Sequence, residues 1–225
     1  MKSTVKTQIV ILAVLINSIL YGQTSIWFNS GLNLADLSLN PRTPTAAKVF
    51  GAAGILVEKE LGPQLKLQVN PYLLHKGGIA KAKADRPDIH FDLSYLELPV
   101  MVKYEMGEIL NSHLCLGTSF GFNLGSKAQT TSQGIRNANP GSRYSADLDN
   151  VMQPFDVSLC LGAGIDLLWR GQAITMDVRY THGLTDLLQD GHINWKSDSD
   201  RFTTESTGDD LQSRSLQFLL GIKMG

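Results

Sequence analysis

Tyr95-Leu96-Glu97-Leu98-Pro99-Val100-Met101-Val102-Lys103-Tyr104-Glu105-Met106 alternates without a break between an apolar set and a mixed set. Leu96, Leu98, Val100, Val102 and Tyr104 fall on one side, and Glu97, Pro99, Met101 and Lys103 on the other, as a side-chain period of two requires. The stretch reads as a β-strand with two chemically different faces, and the rest of the chain repeats its design.

Working outward, the same alternation recurs over residues 26–34, 49–60, 65–73, 112–125, 154–169, 173–182 and 213–224. Leu65, Leu67, Val69 and Leu73 alternate with Lys66, Gln68, Asn70 and Tyr72. Leu114, Leu116, Phe120, Phe122 and Leu124 stand against His113, Cys115, Gly117, Ser119, Gly121 and Asn123. Eight strands emerge, and their connections alternate in length. Short turns follow the second, fourth and sixth strands. Long polar segments, including residues 126–153 and 183–212, follow the odd-numbered ones and read as loops. Brief turns at one end and extended loops at the other are the pattern of an outer-membrane barrel whose two chain ends lie in the periplasm. A soluble sandwich has no reason to sort its loops in this way.

Composition agrees with one domain of this kind. The 225 residues carry a formal net charge of −1 with scattered basic residues, so the electrostatic footprint of a nucleic-acid binder is missing. Lys2 and Lys6 precede an apolar run over residues 9–20, shorter than a spanning helix needs. Residues 1–22 are therefore expected to be a secretory signal cleaved after Gly22, leaving 23–225 as the barrel domain. No second stretch is long and apolar enough to span as a helix. Membrane insertion then requires a closed barrel, because unpaired backbone groups are too costly in hydrocarbon.

Alternation alone does not decide which face looks outward, since a soluble lipocalin-like carrier has the same period turned inside out. The mixed face holds Gly117, Gly121, Gly162 and Gly164, which suit a narrow lumen. It also holds Glu58, Glu97, Lys103, Asp156, Asp166, Asp177, Arg179 and Lys223, charges of both signs able to neutralise one another inside. Aromatics of the apolar face lie near strand ends: Phe28, Tyr104 and Trp169 at the periplasmic level, Phe122, Phe155 and Tyr180 at the outer level. The fold expected is an all-β, eight-stranded antiparallel up-and-down transmembrane β-barrel. Pro71 and Pro99 cannot donate ladder bonds, and a local bulge is expected at each.

Residues 95–100, residues 65–78, Leu161-Gly162-Ala163-Gly164-Ile165-Asp166 and Val178-Arg179-Tyr180-Thr181-His182-Gly183-Leu184 together resemble the PorT-like outer-membrane β-barrel domain common in Bacteroidetes, an OmpX/OmpW-like barrel. The resemblance implies eight strands in the outer membrane of a Gram-negative bacterium. It implies no particular activity. The chain departs from many barrels by ending in Met224-Gly225 where a terminal aromatic is often seen.

Candidate chemistry is sparse. Glu97, Arg179, Asp177 and Lys103 are the charges best placed for a buried structural network, because a charge inside needs a partner. Cys115 and Cys160 share the mixed face on neighbouring strands; a disulfide between them and simple lumen packing both stay open. Asp198, Asp200, Asp209 and Asp210 lack a full calcium-loop signature and read as solvated. His113 and His182 raise the possibility of a lipid-modifying enzyme, but no Gly-x-Ser-x-Gly nucleophile motif is present. The expectation is a monomeric, non-enzymatic barrel with no catalytic, cofactor or metal residues and a lumen filled by side chains. Its partners are outer-membrane lipid and other envelope proteins reached through external loops, in binding, adhesion, envelope maintenance or assistance to secretion. The alternatives are a soluble periplasmic carrier of an apolar ligand and an outer-membrane lipid-modifying enzyme.

Overall fold

The computed structural model describes residues 24–39, 45–81, 88–107, 111–131, 143–197, 201–206 and 211–224. The expected signal segment lies outside them, as do Asp198, Asp200, Asp209 and Asp210. The strands are β1 (Thr24–Leu39), β2 (Thr45–Ala46), β3 (Lys48–Gly62), β4 (Leu65–Val69), β5 (Tyr72–Ala80), β6 (Ile89–Met106), β7 (Ser112–Thr131), β8 (Arg143–Asp147), β9 (Phe155–Trp169), β10 (Gln172–Gly183), β11 (Gly191–Lys196), β12 (Arg201–Ser206) and β13 (Leu211–Met224).

All pairings among them are antiparallel, and the ring closes. β1 pairs with β3, β3 with β4 and β5, these with β6, and then β7, β9, β10 and β13 follow in turn. β13 returns to β1 over a register running from Ile26↔Met224 to Leu39↔Leu211. β4 and β5 are two halves of one stave, so the ring has eight. At the end where β1 begins and β13 ends, the described turns, residues 63–64 and 170–171, are tight. Arg170 and Gly171, with φ of 52° and 82°, join β9 to β10 in the left-handed pair that a two-residue hairpin favours.

Pairing register and burial together fix the orientation. Ile55, Leu73, Leu96, Leu114, Leu161 and Val178 are exposed, whereas Glu58, Lys76, Glu97, Lys103, Asp156 and Arg179 are buried. The apolar set therefore faces away from the axis. A soluble carrier needs the opposite arrangement, and that alternative is excluded. Phe28, Tyr104, Trp169, Phe122, Phe155 and Tyr180 all project outward, the first three near the turn end and the others toward the loop end. Phe122 and Phe155 stand opposite each other with ring centroids 5.4 Å apart.

Neither proline bulges its strand, contrary to expectation. Val57↔Val69 and Gly54↔Tyr72 keep step across Pro71, and Val69↔Val100 and Tyr72↔Glu97 keep step across Pro99. Each proline still uses its carbonyl. Pro71 O accepts from Ile55 N and Pro99 O from Asn70 N, both at 3.0 Å. The donor that Pro71 lacks is replaced by a side chain: Asn70 Nδ2 donates to Ile55 O at 2.9 Å. The register shifts lie elsewhere, between Ser94 and Tyr95 opposite residues 123 and 125 of β7, and between Glu60 and Gly62. The first inserts Leu124 as an extra outward residue and reverses the parity of β7, which is why Ser126, Ala128 and Thr130 are buried beyond it.

The described parts of the two long polar segments form strands where loops are expected. The upper part of β7 leaves β9 and pairs with β8, β8 pairs with β11, and β11 with β12, so a sheet stands out from the barrel's loop end. Tyr144, Ala146, Leu148, Val151, Met152, Leu187 and Trp195 from these segments join Leu37, Phe91, Leu93, Tyr95, Ala128 and Leu211 from the staves in one buried cluster. Backbone bonds knit the segments together, among them Gln153 N to Leu187 O, Gln189 N to Val151 O and Leu187 N to Leu211 O. The loop end of the lumen is thus closed by a small apolar core of its own.

Candidate functional site

The lumen holds two ion clusters joined by a polar middle layer. Near the turn end, Lys103 Nζ lies 3.0 Å from Glu58 Oε1 and 2.6 Å from Asp166 Oδ2. Trp27 Nε1 donates to the second oxygen of Glu58 at 3.0 Å, and Gln68 Nε2 to the first at 2.8 Å. His113 Nε2 is 2.7 Å from Asp177 Oδ1, while Arg179 Nη2 donates to Asp177 Oδ2 at 3.0 Å. In the middle layer Arg179 Nη1 and Asn29 Nδ2 both donate to Asn70 Oδ1, at 2.7 and 2.8 Å.

The second cluster lies under the cap. Lys76 pairs with Glu97 and, at 2.6 Å, with Asp156 Oδ2, and its ammonium sits 4.7 Å from the centre of the Tyr95 ring. Ser119 and Tyr72 donate to Glu97 Oε2 at 2.9 and 3.2 Å. Thr185, from the segment after β10, donates to Asp156 Oδ1 at 2.8 Å and so ties the cap to the charges below. Ions so deeply buried require compensation on every side.

The four charges singled out from the sequence thus do not form a single network. Asp177 and Arg179 pair directly. Lys103 binds Glu58 and Asp166, while Glu97 belongs to the outer cluster with Lys76 and Asp156. Parity finds the face but not the height, and Lys76 was missed because Gly77-Gly78 after it reads as a turn although β5 continues to Ala80. Cys115 and Cys160 are free thiols packed with Met101, offset by two residues in register, Cys115 opposite Gly162 and Gly117 opposite Cys160. Cys115 donates to Gln68 Oε1 at 3.3 Å. His113 lies in the lumen, whereas His182 projects outward, its Nδ1 3.4 Å from Tyr180 OH. No group of three His, Cys, Asp or Glu suited to a metal occurs among the described residues.

Above the apolar band the outer wall turns polar. Asp36 pairs with Arg214 at 3.1 Å and Lys48 pairs with Asp92, both ion pairs facing out. Ser94 Oγ lies 3.1 Å from His75 Nδ1 on the same side. The outer faces of β6, β7, β8, β11 and β12 continue this polar surface beyond the bilayer.

The family model described as outer membrane protein beta-barrel domain matches residues 22–189. No curated protein matches the sequence. Solved structures similar to this chain include Neisserial surface protein A, at 12% identity and a TM-score of 0.44, covering 89% of this chain and 99% of that one. The attachment invasion locus protein Ail of Yersinia pestis matches at 14% identity and 0.43, covering 90% and 99%. OprG from Pseudomonas aeruginosa matches at 12% identity and 0.41, covering 89% and 95%.

Proposed function

The chain belongs to the outer membrane protein β-barrel domain family and lies in the outer membrane of a Gram-negative bacterium, and from that premise we propose that it is a non-conducting, monomeric binding protein that works through its external cap. The carrying observation is the sealed lumen: ion pairs fill it from Lys103 to Lys76, and an apolar cluster covers its mouth. Eight staves enclose little more than their own side chains. Among the described residues side chains occupy the axis, and the elaborated surface is the sheet that stands above the bilayer. Adhesion, or docking of other envelope proteins, is the work that such a surface suits. The motifs of residues 65–78 and 95–100 support placing it in the PorT-like subgroup, where assistance to secretion would use the same surface.

The test has two arms. In planar bilayers the purified protein shows no steady ion conductance; a stable open channel rules the reading out. On glycan and protein arrays, binding by the intact chain is lost when the β11–β12 hairpin, residues 191–206, is replaced by a short Gly-Ser link. Binding that survives this change places the contact elsewhere.

The reading is non-enzymatic because the buried carboxylates are engaged by cations and donors beneath a closed mouth. One observation favours a lipid-modifying activity instead: Ser94 and His75 form a hydroxyl–imidazole pair on the outer wall, just above Leu96 and Leu73. Asp92, two residues along the same face, is held by Lys48 rather than by the histidine. Release of fatty acid from an outer-leaflet glycolipid, abolished by Ser94→Ala, would establish this second reading.

A further inference from the structure

Register places one row of side chains straight across the outer face of the standing sheet. His90 of β6 is opposite Gln129 of β7, Gln129 opposite Ser145 of β8, Ser145 opposite Lys196 of β11, and Lys196 opposite Arg201 of β12. Directly paired residues share a face, and Trp195 and Ala146, one step along, are buried on the other side. Strand spacing makes the row about 19 Å long. Arg143, exposed and two residues from Ser145, adds its guanidinium beside it. A cleft of about 410 Å³ opens there, lined by His90, Gln129, Thr130, Arg143, Tyr144 and Ser145.

No member of the row is acidic, and on the side away from the membrane exposed Asp88, two residues before His90, borders it. The next row toward the membrane does contain Asp92 and Asp147, but these have cations of their own. Lys48 pairs with Asp92, and Lys127 stands opposite both aspartates in register. The upper row thus presents Lys196 with hydrogen-bonding Gln129, Ser145 and His90, and Arg143 stands beside it; Arg201, at the row's end, has an interaction of its own. Guanidinium forks and amide donors match the oxygens of sulfate and phosphate. A row whose cations lie on β8, β11 and β12, with neutral hydrogen-bonding groups on β6 and β7, fits a chain of anionic units better than a single ion. His90 lies six residues beyond Leu96, the last lipid-facing leucine of β6, roughly 20 Å along the strand, which favours a ligand arriving from outside over the membrane's own headgroups.

We infer that this row is a binding site for a linear polyanionic glycan, with sulfate or phosphate on its sugar units, presented from outside the cell. The inference rests on the cap being the binding surface. The test uses the full chain in phospholipid nanodiscs, with dextran sulfate as probe and unsulfated dextran as control. Dextran sulfate binds and dextran does not. The double variant R143Q/K196Q weakens binding roughly tenfold at 0.15 M salt and lowers the slope of log affinity against log salt by about two, one for each lost contact. The double variant R170Q/K223Q, which removes two cations from the periplasmic end, binds like the parent.

Equal loss in both double variants reduces the effect to net charge and overturns the site. Loss on removing the β11–β12 hairpin without loss in R143Q/K196Q also overturns it, while leaving the cap as a binding surface. Failure of the intact protein to bind dextran sulfate, with binding only to the phosphates of lipopolysaccharide placed in the disc, assigns the row to the membrane instead. A protein that binds nothing on arrays removes the wider reading as well.

Discussion

Replacing Asn70 by leucine removes several hydrogen bonds at once: its donation to Ile55 O and those it accepts from Arg179 and Asn29. The cost is concentrated because Arg179 is left buried with one acceptor fewer and the Ile55 carbonyl beside Pro71 loses the side-chain donor that replaces the missing ladder bond. A loss of about 2–4 kcal/mol is expected in urea unfolding from detergent micelles. An unchanged midpoint would mean that Pro71 is tolerated for some other reason. Lys76→Met leaves Glu97 and Asp156 buried without their cation and costs about 3–5 kcal/mol, most of it recovered when E97Q and D156N are added. On the outer wall, Leu161→Arg near mid-height costs about 2–4 kcal/mol, because hydrocarbon offers a cation no partner. Gly31 shows how closely the staves approach: a Cβ there would lie 1.9 Å from the carbonyl oxygen of Phe218, so any side chain forces β1 and β13 apart.

At the scale of the element, β6 was legible from the alternation of residues 95–106 because lipid and lumen differ so sharply in chemistry. Its extension to Ile89 was not. Beyond Ser94 the outward residues turn polar and the inward ones, Phe91 and Leu93, turn apolar, which inverts the pattern that identifies a stave. The same inversion hid the upper part of β7, where the extra residue Leu124 also resets the phase. β8 and β11 are short, and their inward residues, Tyr144, Ala146 and Trp195, are few enough to pass for loop composition. The lumen charges were legible by face, but their pairing depends on height around a tilted ring, which a single strand does not reveal. The cap makes its own prediction. Leu187→Asp places a carboxylate in its core and loosens it without unfolding the ring, so external segments become open to trypsin while the barrel keeps its heat-dependent electrophoretic mobility. Simultaneous loss of both would show that cap and barrel fold as one unit.

For the molecule as a whole, the account depends on which side of the wall meets lipid. Its three tryptophans divide the space between them. Trp169 projects from the outer wall with 63% of its surface exposed, Trp27 lies in the lumen bonded to Glu58, and Trp195 lies in the cap. Burial of charge and exposure of leucine are thermodynamically sensible only if the surroundings are hydrocarbon, since the reverse arrangement would stabilise the chain in water. Quenching of tryptophan fluorescence by phospholipids brominated on their acyl chains reads this directly. The prediction is strong quenching in the parent protein that disappears in Trp169→Phe and persists in Trp27→Phe and Trp195→Phe. Quenching that is lost with Trp27→Phe and retained without Trp169 would contradict the orientation and, with it, the membrane barrel.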